Sequence, residues 1–201
     1  MTGRDPEFRL GSVLATTFTG TLTERFGAPV ERIPTPARLA DWLREVDLAV
    51  DACSPADLAA AVELREAIHI AASAQAVGQP RPRDAVEVIN GFSARGGAVA
   101  VLADDGRRRW FLGQPATVAA ALGVVATDAI EILAGVRPGA LALCASPTCR
   151  AAFFDTSRGR TRRWCDMNTC GNHEKKARLR ARRGERPLAQ GTGSSFSSSV
   201  V

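Results

Sequence analysis

The chain has 201 residues and a net charge of +5, with 45% hydrophobic but only 5% aromatic residues. That length holds one domain of modest size and a small one, with a core built mainly from Ala, Val, Leu and Ile. No apolar run approaches the roughly 20 residues of a membrane span, and the polar start has no apolar leader, so a cytoplasmic protein with reduced cysteines is expected.

In chain order, residues 8–11 and 13–18 read as a short extended opening with a kink at Gly11. Thr35 and Pro36 then carry a helix start, as N-cap and first helical residue, and Leu39, Trp42, Leu43 and Val46 share one face. Ser54-Pro55-Ala56-Asp57 repeats the signal as a capping box, opening a helix through Leu58, Val62, Arg65 and Ile68 to Gly78. His69 lies on it, three residues after Glu66; two ligands make a poor metal site, and His69 reads as structural. A third helix is expected over residues 84–94. Residues 98–103 and 107–112 flank Asp104-Asp105-Gly106 as a hairpin. Alternation sends Arg108 to the face opposite Arg107 and Arg109, a solvated arginine surface rather than a nucleic-acid contact. Pro115 opens a long, broadly apolar helix closed by Gly135, suited to a central packing position. Cys53 reads as a half-buried small hydrophobe, and Arg137-Pro138-Gly139 as a domain boundary.

The other four cysteines fall in two C-x4-C pairs, Cys144 with Cys149 and Cys165 with Cys170. Two short turns that each present two thiolates, joined by a connector long enough to fold back, meet the needs of a tetrahedral zinc site. Four thiolates leave no open coordination position, so the zinc is expected to be structural; Asp155, Asp166 and Glu174 have no metal-bound water to act on, and no catalytic residue is assigned. Residues 151–155 and 161–164 are expected to pair as strands around Ser157-Arg158-Gly159-Arg160, with Phe153 or Phe154 and Trp164 covering the metal. After Cys170, Asn172 reads as the N-cap of a cationic helix that stops at Gly184.

The run Leu141-Ala142-Leu143-Cys144, Phe154-Asp155-Thr156-Ser157-Arg158, Arg162-Arg163-Trp164-Cys165 and Cys170-Gly171-Asn172-His173-Glu174-Lys175 closely resembles the CGNR zinc finger. In that bacterial family the finger follows an amino-terminal ABATE domain. The resemblance covers nearly the whole chain and is sharp from about residue 141. It implies a stress-responsive, DNA-binding transcriptional regulator. His173 stands where the signature has arginine. In the ABATE part Leu14, Phe18 and Thr21 match the family's pattern, while Thr17 and Gly20 replace its aspartate and asparagine.

The fold expected is α/β of the α+β kind: a mostly helical amino-terminal domain with a small sheet or hairpin, then a small treble-clef or ribbon-like four-cysteine finger. The domains are an ABATE-like regulatory part over residues 1–138, the finger over 139–185 and a disordered Gly/Ser-rich tail over 186–201. Residues 141–201 carry twelve Lys or Arg against four Asp or Glu, whereas residues 1–140 carry fourteen against seventeen. A basic end joined to an acidic domain marks a polyanion-binding module. The metal ligands expected are Cys144, Cys149, Cys165 and Cys170. The nucleic-acid contacts expected are Arg160, Arg162, Arg163, His173, Lys175, Lys176, Arg178, Arg180, Arg182 and Arg183. Duplex DNA is the expected partner, with a small-molecule effector at the amino-terminal domain. A homodimer is expected of a regulator whose operators have twofold symmetry, although no heptad or apolar patch in the sequence marks one. RNA binding, a protein-interaction adaptor and a thiol redox switch stay open as alternatives; an enzyme is not expected.

Overall fold

The computed structural model describes residues 5–182; Arg183, Gly184 and the Gly/Ser-rich tail of the sequence reading lie outside the described residues. The chain divides into two compact units, Met1–Cys165 and Asp166–Val201. The first contains α1 (Leu14–Thr19), β1 (Leu22–Thr23), β2 (Val30–Glu31), α2 (Pro36–Glu45), α3 (Pro55–Ala76), α4 (Arg83–Gly96), β3 (Val99–Leu102), β4 (Arg108–Phe111), α5 (Val118–Leu133), β5 (Ala140–Leu143) and β6 (Ala152–Asp155). The second contains a π-type turn, Met167–Gly171, and α6 (Asn172–Arg182). The strands form three separate antiparallel pairs, β1 with β2, β3 with β4 and β5 with β6. Among the described residues no helix is long and apolar enough to cross a membrane.

Local signals set most helix starts. The Thr35 side chain accepts the Arg38 amide, and Ser54 and Asp57 exchange hydrogen bonds as a full capping box at 2.8 and 3.2 Å. The long apolar helix differs slightly from expectation. It begins at Val118 under a Thr117 cap, because that hydroxyl accepts the Ala120 amide, and Pro115 stays in the preceding loop. The opening is corrected more deeply: residues 14–19 are helical, not extended. β-branched Thr16, Thr17 and Thr19 favour a strand by propensity. The Asp128 carboxylate nevertheless accepts the Ala15 amide at 2.8 Å from 113 positions away, and Ala15, Phe18 and Thr19 turn their side chains into the core.

That core lies among α3, α4 and α5, with α1 and α2 closing it. Phe18 and Trp42, both essentially without solvent exposure, meet with ring centroids 5.0 Å apart. α4 and α5 cross at two glycines. A Cβ added to Gly123 would lie 2.4 Å from the Gly96 Cα, so the helices are in backbone contact there. Buried Arg65 is answered within the core edge: it donates to Glu66 at 2.9 Å and to Glu31 at 2.8 Å, and also bonds the Thr21 hydroxyl. Such pairing is the condition on which a guanidinium is tolerated inside.

β5 and β6 belong to this unit. Phe154 on β6 is buried with the core cluster, and its ring lies so close to Gly139 that a Cβ there would sit 2.3 Å from it. Gly123→Ala tests the helix crossing directly. Helix propensity alone favours Ala by about 1 kcal/mol, but overpacking a backbone contact costs about 1–3 kcal/mol. The expected result in urea denaturation is a lower midpoint for the variant, not a higher one.

Candidate metal centre

The first cysteine pair sits at the tip of the β5–β6 hairpin. Cys144 follows β5 directly, its amide donates to Ala151 O at 2.9 Å, and a turn through Ser146, Pro147 and Thr148 returns the chain to Cys149. Arg150, with φ of 48°, takes the left-handed backbone that closes this turn. The expected pairing of residues 151–155 with 161–164 is corrected here: β6 pairs with β5, in the register Leu141 with Phe154 and Leu143 with Ala152. The apolar β5 offers Phe154 a core-facing partner. Thr161, Arg162 and Arg163 instead remain exposed as an irregular return, anchored by the Ala145 amide on Arg163 O at 2.8 Å.

Buried Asp155 shapes the return by accepting the Ser157 amide at 2.9 Å and the Arg162 amide at 3.0 Å. Hydrogen bonding to Ser157 and to Arg162 holds its carboxyl below the usual range. The Arg162 guanidinium lies 5.0 Å from the Phe153 ring centre and donates to Trp164 O at 2.8 Å and to Cys165 O. Arg162 is therefore a brace for the second cysteine turn. Phe154, offered by the sequence as a metal cover, is in the core, while Phe153 lies beneath Arg162. Trp164 is half-buried, with Arg163 5.3 Å from its ring centre.

The second pair is set by Asp166. Its side chain accepts the Asn168 amide at 2.6 Å and the Thr169 amide at 3.0 Å, and its carbonyl accepts the Gly171 amide. Asp166, not Asn172, caps this helical segment; Asn172 is already helical and donates its side-chain amide to Asn168 O at 3.0 Å. Cys170 falls within the π-type turn just before α6.

All four sulfurs lie within 4.8 Å of one another, and Cys149 and Cys165 are 3.6 Å apart. A disulfide requires about 2.05 Å, whereas sulfurs around tetrahedral zinc, each about 2.3 Å from the ion, stand about 3.8 Å apart. The set fits zinc. Cys144, Cys149 and Cys170 are buried, and Cys53 is apart from the group. In so crowded a set, hydrogen bonds from Cys149 and Cys165 pull the Cys144 thiol well below its usual range, while the bonds to Cys144 and Cys149 push Cys165 up. When bound, the zinc supplies the positive charge that lets all four be thiolates, as a cross-link with no open position.

A clasp on the first turn has no mark in the sequence. The Phe26 amide donates to Thr148 O at 2.9 Å, and the Thr148 hydroxyl donates to Glu24 at 2.5 Å. In the same β1–β2 loop Arg25 is pinned to Glu66 on α3 at 2.5 Å. Glu66 thus serves arginines rather than His69. Burial, with help from Arg25, pushes the His69 imidazole down to about 4, a neutral ring that takes no part in the four-sulfur cluster.

Of the cationic residues singled out by sequence, Arg160, Arg163, Lys175, Lys176, Arg178 and Arg180 are exposed, as is His173. Arg178 is paired with Glu174 at 2.8 Å. Arg182 ends α6 with its side chain outside the described set, and Arg183 lies outside the described residues. Elsewhere in the larger unit a cavity of about 190 Å³ has Arg108, Asp128, Glu131 and Arg137 in its lining, with apolar Leu14 and Val124 beside them. Arg137 bridges Asp128 and Glu131 at 2.5 and 2.6 Å, and Arg108 lies 5.0 Å from the Trp110 ring centre.

Metal analysis of the purified chain is expected to give one zinc per chain. Cys149→Ser and Cys165→Ser are each expected to lose it, Cys53→Ser to keep it. Acidification releases zinc, because protons compete for the thiolates.

Residues 12–136 match the family model ABATE, described as "Putative stress-induced transcription regulator", and residues 141–183 match the model of the CGNR zinc finger. No curated protein matches the sequence. The two matched segments adjoin in the order that the cysteine spacing and the helical first unit call for, and the chain belongs to the ABATE family, with a CGNR zinc finger as its second part.

Proposed function

We propose that this protein is a cytoplasmic transcriptional regulator that binds duplex DNA through its zinc finger and senses a small molecule through its ABATE domain. The observation that carries the reading is the cationic surface of α6. Lys175, Lys176, Arg178 and Arg180 are exposed on a helix that begins two residues after the last zinc ligand, and its described acid, Glu174, offsets Arg178 alone. Exposed cations without acidic partners attract a polyanion and release its counterions. A cross-linked base limits the ordering cost of presenting them. The polar cavity of about 190 Å³ beside Asp128 and Arg137 is the candidate place for the sensed molecule, which at that volume would be smaller than the usual pocket ligand. In this reading the chain is a binding protein rather than an enzyme, and its zinc is structural.

The cations divide by role. Arg160 and Arg163 join Lys175, Lys176 and Arg180 as candidate phosphate contacts, whereas the Arg162 guanidinium is already committed to Trp164 O and Cys165 O. Titrating the zinc-loaded chain with duplex at several salt concentrations is expected to show log affinity falling linearly with log salt. Lys175→Ala and Arg180→Ala should each flatten that slope by about 0.9, with thermal midpoints unchanged. Arg162→Ala is expected to do the reverse, lowering the midpoint and zinc retention. Binding that ignores salt, or single-stranded RNA outcompeting duplex, would overturn the reading.

A further inference from the structure

The β3–β4 hairpin is exposed in a way the rest of the unit is not. Leu102 is 80% exposed, Val99 57%, Phe111 48% and Val101 40%. Val99 faces Phe111 across the ladder and Val101 faces Arg109, so Val99, Val101 and Phe111 share one outer face with the Arg109 side chain among them, while Leu102 lies on the other face. Scattered apolar side chains on a surface need no explanation, but a contiguous group on a two-stranded ribbon does.

The edge is open as well. Ala103 N donates to Arg107 O at 2.9 Å, so in the alternating antiparallel pattern Val101 and Val99 also point their backbone groups at β4. Ala100 and Leu102 therefore direct their N–H and C=O groups outward, and among the described residues the sheet has no third strand. An exposed, uncharged edge strand is a template for pairing with another chain.

We infer that β3 is a dimerisation strand: two copies of this chain pair antiparallel along their β3 edges, about a twofold axis, into a four-stranded sheet. Charge selects both the edge and the occupant. Pairing through β4 would set Arg109 against Arg109 of the second copy, like charges directly opposed. Pairing through β3, with Ala100 opposite Leu102 of the second copy, sets Val101 against Val101 and gives about four inter-chain backbone hydrogen bonds. In that register Asp105, which already pairs with Arg109 of its own hairpin at 2.9 Å, comes opposite Gly97 of the second copy, two residues from Arg95, so the Asp104-Asp105 tip lies beside the other copy's basic helix end. A twofold pairing uses the same edge on both copies, and the outer faces merge into one strip of Val99, Val101 and Phe111.

Light scattering of the full-length, zinc-loaded chain across a concentration series provides the test. A reversible dimer is expected. Val101→Lys should raise its dissociation constant about tenfold, as should Val101→Glu, and an equimolar mixture of the two should recover a dimer because the positions face each other. Amide exchange supplies a readout that needs no variant: Ala100 and Leu102 should gain protection as concentration rises, while Val101, already bonded to β4, should not. A chain that stays monomeric throughout overturns the proposal. So does a dimer indifferent to Val101→Lys, or protection of Ala100 and Leu102 that is independent of concentration and vanishes when residues 183–201 are removed, since the strand's occupant would then be the chain's own tail.

Discussion

Four sulfurs crowded within 4.8 Å of one another cannot all be anions without a cation among them, and the finger's geometry follows from that constraint. The two turns that bring them together are held by different means. The first rides on a hairpin whose β6 strand sends Phe154 into the core beside Gly139. The second is set by Asp166, which gathers the amides of Asn168, Thr169 and Gly171, and by Arg162, which holds the carbonyls of Trp164 and Cys165. Zinc adds the cross-link between two turns that protein hydrogen bonds have already shaped.

Inside the larger unit, buried charge performs a similar joining role. Asp128 on α5 caps α1 through one oxygen and meets Arg137 through the other, so one carboxylate ties the start of the chain to the segment that leads into β5. Arg65 on α3 likewise reaches Glu31 on β2 and Thr21 ahead of β1. Loss of Arg137 would leave Asp128, and loss of its acidic partners would leave Arg65, with little water to turn to. The polar cavity borders the first of these joints, so a ligand there would meet groups that already hold two elements in place.

What the sequence made legible was local. Thr35, Ser54 and Asp57 act on amides three residues away, and paired cysteines advertise a metal by spacing alone. What it concealed was decided at a distance. The opening helix depends on Asp128, over a hundred residues later, so the β-branched threonines misled. The choice between β5 and residues 161–164 as the partner of β6 turns on which one can share the core with Phe154, a matter of tertiary packing. Arg162 carries no mark distinguishing it from Arg163, since its commitment to two carbonyls appears only once the return loop is folded. The cap was displaced because Asn172 and Asp166 are both good capping residues, and the π-type turn that carries Cys170 needs the earlier one.

The clasp between Thr148 and the Glu24–Phe26 loop bears on how the finger meets its metal. In a free-standing finger both ligand turns are disordered without the ion, and capture of zinc must supply the whole entropy of arranging them. Here the first turn is built and fastened when the larger unit folds, by bonds that involve no metal. An incoming ion therefore finds the Cys144–Cys149 turn already fastened, and its capture has only to draw the second turn, itself shaped by Asp166 and Arg162, against the first. Metal capture in this protein is the closing of a half-made cage rather than the folding of a loose peptide.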